Sequence, residues 1–206
     1  MNTIKYLKRQ LNRLKIDLVT QGTFLAGEVR SVDQNNILKT VSTNYEELDL
    51  IFSKRISISA DDVIVDVGCG KGRVFNYLLY KGCTNRMIGY EINIDVAMKT
   101  RERLGRYSNV DIRCVNIFND FPTDATIFYL YHPFKEAMMA EFGKQILRMK
   151  RPPLIIYNNP VYIDALGSQF DTEVFELPVP GYGYSFKFAI AMPKQAKQGR
   201  NVLQVA

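Results

Sequence analysis

The residues best suited to chemistry form one short stretch, Asp66-Val67-Gly68-Cys69-Gly70-Lys71-Gly72. It lies where the β-branched run Val63-Ile64-Val65-Asp66-Val67 hands over to a helical pattern starting near Arg73. In open parallel sheets, ligands bind at such carboxyl ends of strands. Glycines two apart permit positive φ and an approach of backbone to ligand that a Cβ would block. The helix behind them presents unpaired N–H groups and a partial positive charge to an anionic group. A second acid, Glu91, ends the next apolar run, where a carboxylate can accept from both hydroxyls of a ribose. The plain structural alternative is a tight turn and a solvated strand-end acid.

The spacing separates nucleotide loops from one another. A dinucleotide fold shows G-x-G-x-x-G, whose third glycine packs helix on strand. Here the pattern is G-x-G-x-G with an acid two positions before the first glycine. This D-x-G-x-G-x-G arrangement resembles the nucleotide loop of the class I S-adenosylmethionine (SAM)-dependent methyltransferases. The resemblance implies SAM as cofactor, held by Asp66, Gly68, Cys69, Gly70 and Gly72. Its ammonium end suits Asp66, directly or through water, and its carboxylate suits the helix N–H groups. Glu91 would then take the ribose hydroxyls, with Ile92 on the adenine face. Members of this class commonly place Asp or Asn after the third strand to accept from the adenine 6-amino group, with an apolar neighbour on the ring. Asn116 and Ile117 stand there. Without the resemblance, Asn116 is a turn residue at a strand end.

A narrower likeness lies in Ile88-Gly89-Tyr90-Glu91, in Ile127-Phe128-Tyr129-Leu130-Tyr131-His132-Pro133-Phe134 and in Tyr157-Asn158-Asn159-Pro160-Val161. With the glycine loop, these resemble small bacterial methyltransferases related in sequence to the non-SET histone lysine methyltransferases, over residues 45–162. In the wider class the fourth strand ends beside the methyl acceptor, and enzymes acting on planar amines carry Asn-Pro-Pro-Tyr there. His132 takes the place of that Asn, which makes His132 and Tyr131 the candidate catalytic residues. His132, the only histidine, could serve as general base for an N or O acceptor, or be a structural histidine. Methyl transfer is an in-line displacement on an activated donor, so alignment can carry most of the catalysis. Tyr131, Phe134 and Tyr45 are candidate aromatic walls for the sulfonium, or core.

The elements that would position these groups follow from periodicity. From Asp62 onward strands (63–67, 87–91, 110–115, 125–131, 154–157) alternate with helices (73–80, 95–104, 136–149). Two β-rich stretches, 173–177 and 184–192, flank Pro178, Pro180, Gly181 and Gly183 and read as a closing hairpin. The expected fold is α/β: a Rossmann-like doubly wound sheet, mostly parallel, with a C-terminal antiparallel hairpin and a helical N-terminal lead. Within that lead, residues 1–19 space Ile4, Leu7, Leu11, Leu14 and Leu18 three and four apart. This predicts an amphipathic helix packed on the domain or on a second subunit, giving a homodimer. A membrane-surface or nucleic-acid-facing helix is the other reading, although large aromatics are missing from its apolar face. Residues 21–43 read as a loop with short helical pieces, and 45–55 as a helix with Leu48, Ile51 and Phe52 on one side. The expected organisation is a helical lead over 1–44, a methyltransferase domain over 45–193 and a basic tail over 194–206.

At 206 residues the chain has room for one domain of ordinary size. No apolar run reaches the ~18 residues of a membrane helix and no secretory signal is visible, so a cytoplasmic location is expected. Cys69, Cys83 and Cys114 form no C-x-x-C pair and have no His neighbour, which argues against a disulfide framework or a zinc site. Much of the +6 net charge sits at the ends, in Lys5, Lys8, Arg9, Arg13 and Lys15 and in Lys194, Lys197 and Arg200. Solvated faces and tails produce that pattern more often than nucleic-acid surfaces do. The acceptor stays open among a small molecule, a saccharide or lipid intermediate, a protein and RNA. A nucleotide-binding oxidoreductase and an inactive SAM-fold binding module are the alternatives.

Overall fold

The computed structural model describes residues 3–25, 43–180 and 182–194. Helices α1 (Thr3–Gln21) and α2 (Tyr45–Phe52) precede β1 (Val63–Val67), α3 (Arg73–Tyr80), β2 (Arg86–Tyr90), α4 (Ile94–Leu104) and β3 (Val110–Arg113). Then come β4 (Ile127–Tyr131), α5 (Glu136–Leu147), β5 (Leu154–Asn158), β6 (Phe170–Pro178) and β7 (Ser185–Pro193). The strands form one sheet of order β3-β2-β1-β4-β5-β7-β6. β1 to β5 run parallel, and β7 is antiparallel to both β5 and β6. The expected mostly parallel sheet with a closing hairpin is therefore present, with the second hairpin strand beside β5. Strand order reverses between β1 and β4, which opens a crevice at their carboxyl ends.

Alternate residues of β1 feed two cores. Ile64 joins the side covered by α1 to α4, and Val65 and Val67 join the side covered by α5. Residues 114–126 form no α-helix, only a 3₁₀ turn at Ile117–Asn119. Asn116, Asp120 and Pro122 punctuate that stretch, and such residues favour turns over helix. Phe118, Phe121, Phe128, Phe134 and Phe142 fill the space with ring centroids 5.3–5.9 Å apart. α4 starts cleanly because Asn93 Oδ1 accepts from the N–H groups of Asp95 (3.1 Å) and Val96 (3.2 Å), an N-cap worth about 1 kcal/mol.

α1 reverses the orientation its pattern predicts. It packs on α3 and α4, but through Ile16, Asp17, Thr20 and Gln21. Leu7 (55% exposed), Leu11 (63%) and Leu18 (46%) face outward, Leu14 is half-buried, and the Ile4 side chain lies outside the described residues. The cause is a buried polar network. The Asp17 carboxylate accepts from Leu25 N (3.1 Å), Asn76 Nδ2 (3.3 Å) and the Tyr45 hydroxyl. Gln21 donates to the Lys71 carbonyl (3.1 Å) and to Asn76, and accepts from Arg103 Nε (2.5 Å). Docking by the leucine side would take these partners from the buried Tyr45 and Asn76, at about 1–3 kcal/mol for each buried group left unsatisfied, and would free the half-buried Arg103. The helical pieces expected within 21–43 and the basic tail fall largely outside the described residues.

Candidate functional site

The loop after β1 is built for close approach. Gly68, Gly70 and Gly72 all have positive φ (75°, 51° and 75°), which side-chain-bearing residues rarely adopt. At Gly72 a Cβ would also come within 2.9 Å of Leu104 Cδ1. The loop is tied to β2 and its end: Gly68 N and Cys69 N donate to the Tyr90 carbonyl (2.8 and 2.9 Å), and Gly70 N donates to Glu91 Oε2 (3.0 Å). From α4, the buried Thr100 hydroxyl donates to the Gly70 carbonyl (2.9 Å).

Two acids converge under this loop. Asp66 is buried, and no donor among the described residues hydrogen-bonds its carboxyl. Burial and the neighbouring Glu91 carboxylate push its pKa well above the usual range. Glu91 is buried too; burial raises its pKa, while the N–H groups of Asn93, Gly70 and Ile92 pull it back. Cys69 lies close to both, and burial followed by those carboxylates pushes its thiol up, so it stays protonated and unreactive. A buried carboxyl without donors beside a second buried acid fits a ligand that brings a cation, and SAM carries an ammonium and a sulfonium. Ile92 is 44% exposed beside Glu91, a large apolar side chain left uncovered at the rim.

Asn116 and Ile117 lie beyond β3. Ile117 is buried, and Asn116 is exposed with its Oδ1 accepting from Phe118 N (3.0 Å). Asn116 thus caps the 3₁₀ turn, and one lone pair of Oδ1 remains for an amino group. Tyr45 and Phe134, candidate walls by sequence, are both core. Tyr45 is locked to Asp17 and Asn76, and Phe134 packs on Phe118 and Phe142.

Tyr131 and His132 sit at the end of β4. Tyr131 is half-buried and pairs with Asn158 across to β5. The next residue on each strand, His132 (φ 43°) and Asn159 (φ 53°), is left-handed. Such conformations cost about 1–3 kcal/mol and cluster at ligand sites. The His132 ring lies parallel to Tyr157 (14°) and 5.4 Å from Tyr162. Its Nδ1 is 3.0 Å from the Tyr157 hydroxyl, which in turn accepts from the Tyr162 backbone and is pushed up to about 12 by burial. The contact is satisfied with either group donating, since the phenol has one O–H and two lone pairs. Burial also lowers the imidazole pKa, so the ring is neutral at pH 7. With Nδ1 engaged by Tyr157, Nε2 is the nitrogen left for an acceptor, and alignment alone can carry most of a methyl transfer. His132→Asn should therefore leave SAM affinity within about twofold and turnover within about tenfold. A general base would instead cost ~10²–10⁴-fold and remove a neutral limb from the pH–rate curve. Asn also tolerates positive φ better than most residues.

Sequence reading did not find Glu47, Asn158 or Thr100. Glu47 is buried; its Oε2 accepts from Asn158 Nδ2 (3.3 Å) and its Oε1 from the Tyr184 hydroxyl (2.8 Å). Asn158 also donates to the Tyr129 hydroxyl (3.1 Å). These contacts fix the end of β5 next to Tyr131. They join residues 111, 137 and 29 positions apart, so no local pattern announces them. Among the described residues no group of His, Cys, Asp and Glu could hold a metal ion.

No family model matches the sequence. It is 38% identical over 68 residues to ribosomal RNA small subunit methyltransferase A of Thermotoga petrophila, a match over 33% of this chain and 24% of that protein. The chain thus spans about a quarter of the length of such relatives. Among solved structures it resembles a methyltransferase from Pyrococcus furiosus (TM-score 0.61, 10% identity, 92% of this chain and 98% of that one). It also resembles an RNA methyltransferase from Salinibacter ruber in complex with S-adenosyl-L-homocysteine (0.54, 15%, 81% and 100%). A third likeness is to mitomycin 7-O-methyltransferase (0.52, 19%, 72% and 53%). The chain has the class I methyltransferase fold.

Proposed function

We propose that this chain binds SAM and transfers its methyl group to an N or O atom held beside His132. One observation carries the proposal: the buried Asp66 and Glu91 carboxylates neighbour each other under a loop whose three glycines are all left-handed, within the class I methyltransferase fold. SAM supplies a methyl group already activated on a sulfonium. Asp66 would hold its ammonium, the N–H groups at the start of α3 its carboxylate, and Glu91 its ribose hydroxyls. Ile92 and Ile117 would enclose the adenine, with Asn116 at its amino group. Tyr131 and His132 would then align the acceptor, so that the chain contributes orientation more than proton transfer.

For the acceptor, an RNA base is the class to test first, because the relatives matched at 38% identity are ribosomal RNA methyltransferases. His132 and Tyr162, with ring centroids 5.4 Å apart, offer aromatic surface to such a planar group beside Tyr131. The narrower likeness to small bacterial methyltransferases concerns this same surface. Titration calorimetry with SAM, NAD and ATP tests the cofactor, and micromolar or tighter binding of SAM alone is expected. Heat from NAD without heat from SAM would replace this function with the oxidoreductase reading. Label transferred from methyl-labelled SAM to RNA, protein or small-molecule fractions then identifies the acceptor. SAM binding with no label in any fraction would favour an inactive binding module.

A further inference from the structure

The outward face of α1 combines two features that one kind of partner satisfies. At 3.6 residues per turn, Leu7, Leu11, Leu14 and Leu18 form a stripe about 16 Å long, with Lys8 and Lys15 along one flank and Val19 beyond them. Leu7, Leu11, Leu18 and Val19 are exposed, as are both lysines. Phe24, three residues past the helix, adds an exposed aromatic ring. The only acid in α1 is Asp17, and it is turned inward on Tyr45 and Asn76. The outward face is therefore apolar and cationic, without negative charge.

This charge pattern selects the occupant. A second copy would bring the same leucines together but supply no acid from α1 to meet the lysines. RNA would satisfy the lysines and leave the leucines in water. An anionic bilayer surface meets both groups, as it does for amphipathic helices lying in the headgroup region. We propose that α1 is a peripheral anchor for anionic membrane surfaces. Its leucines enter the headgroup–acyl boundary, and Lys8 and Lys15 reach lipid phosphates. No described helix is long and apolar enough to cross a membrane, so the contact lies in the plane of the surface. The polar network on the inner side keeps the leucines outward. This inference does not rest on methyl transfer.

Co-sedimentation of the full chain with vesicles tests it, using phosphatidylcholine alone and phosphatidylcholine with one-quarter phosphatidylglycerol. Binding is expected to the anionic vesicles, weakly to the neutral ones, and to weaken with salt. Leu11→Gln/Leu18→Gln and Lys8→Gln/Lys15→Gln should each weaken it about tenfold or more. Thermal unfolding should change little, because these side chains are exposed and Lys15 gives up only a surface contact with the Tyr80 ring (5.7 Å). Failure of the unmodified protein to bind, or binding that survives both double variants, overturns the proposal. So does a dimer dispersed by Leu11→Gln/Leu18→Gln, which gives the face to a second copy. RNA binding at 0.15 M salt (about physiological strength) that requires this face overturns it in favour of RNA.

Discussion

Replacing Glu91 with Ala is expected to weaken SAM binding by about 1.5–3 kcal/mol, or roughly 10- to 150-fold, the usual loss for hydrogen bonds to a charged group. Glu91 has a second duty that enlarges the effect. Its Oε2 accepts from Gly70 N (3.0 Å) and its Oε1 from Asn93 N (2.8 Å), so one side chain pins the glycine loop to the start of α4. Glu91→Gln keeps an oxygen for one of these N–H groups while removing the charge. It should therefore bind SAM better than Glu91→Ala and worse than the unmodified protein. Calorimetry gives the affinities, and a thermal melt should show Glu91→Ala folded with about 1–2 kcal/mol less stability. Unchanged affinity in a folded Glu91→Ala protein would remove Glu91 from the site.

Asp66→Asn should move two quantities in opposite directions. The pKa of Asp66 is raised in the folded state, chiefly by burial. Its contribution to stability is therefore fully present below the unfolded-state value near ~3.9 and is lost as pH rises through the folded-state value. At pH 7 the ligand-free protein bears that loss. Asn at this position carries no charge to bury, so the ligand-free variant should unfold at higher temperature than the parent at pH 7, with the gap closing toward pH 4. SAM affinity should fall by about 1.5–3 kcal/mol, because the ammonium loses its counter-charge. Melting curves across pH with and without SAM read both effects. A variant that is less stable at pH 7 and binds SAM normally would make Asp66 a structural residue.

The parts legible in the sequence are those decided by short-range pattern. β1, its glycine loop and α3 were readable because strand, turn and helix signals follow one another within about twenty residues. The hairpin was readable from alternation around Pro178 and Gly183. What was not readable depends on partners far along the chain. The 3.6 period of α1 specifies a helix and a stripe, but the face that packs was fixed by Asn76 and Arg103, more than fifty residues away. The left-handed turn at His132 has no local cause such as glycine, and its Nδ1 is engaged by Tyr157, 25 residues on. Asn116 shows a third kind of limit. A turn cap and an adenine contact use the same residue at the same strand end, so sequence alone cannot rank them.

The network on the inner face of α1 also bears on the order of events during synthesis. α1 leaves the ribosome before the sheet does, and the Arg103 guanidinium that closes on Gln21 lies 82 residues later, a gap of about 4–16 s at ~5–20 residues per second. Through that interval the partners of Asp17 and Gln21 appear one after another, Leu25 first and Arg103 last, while Leu7, Leu11 and Leu18 are already present. The nascent segment is then an amphipathic peptide whose polar side is only partly held. It would be open to chaperones or lipid before the domain that later fixes its orientation has formed.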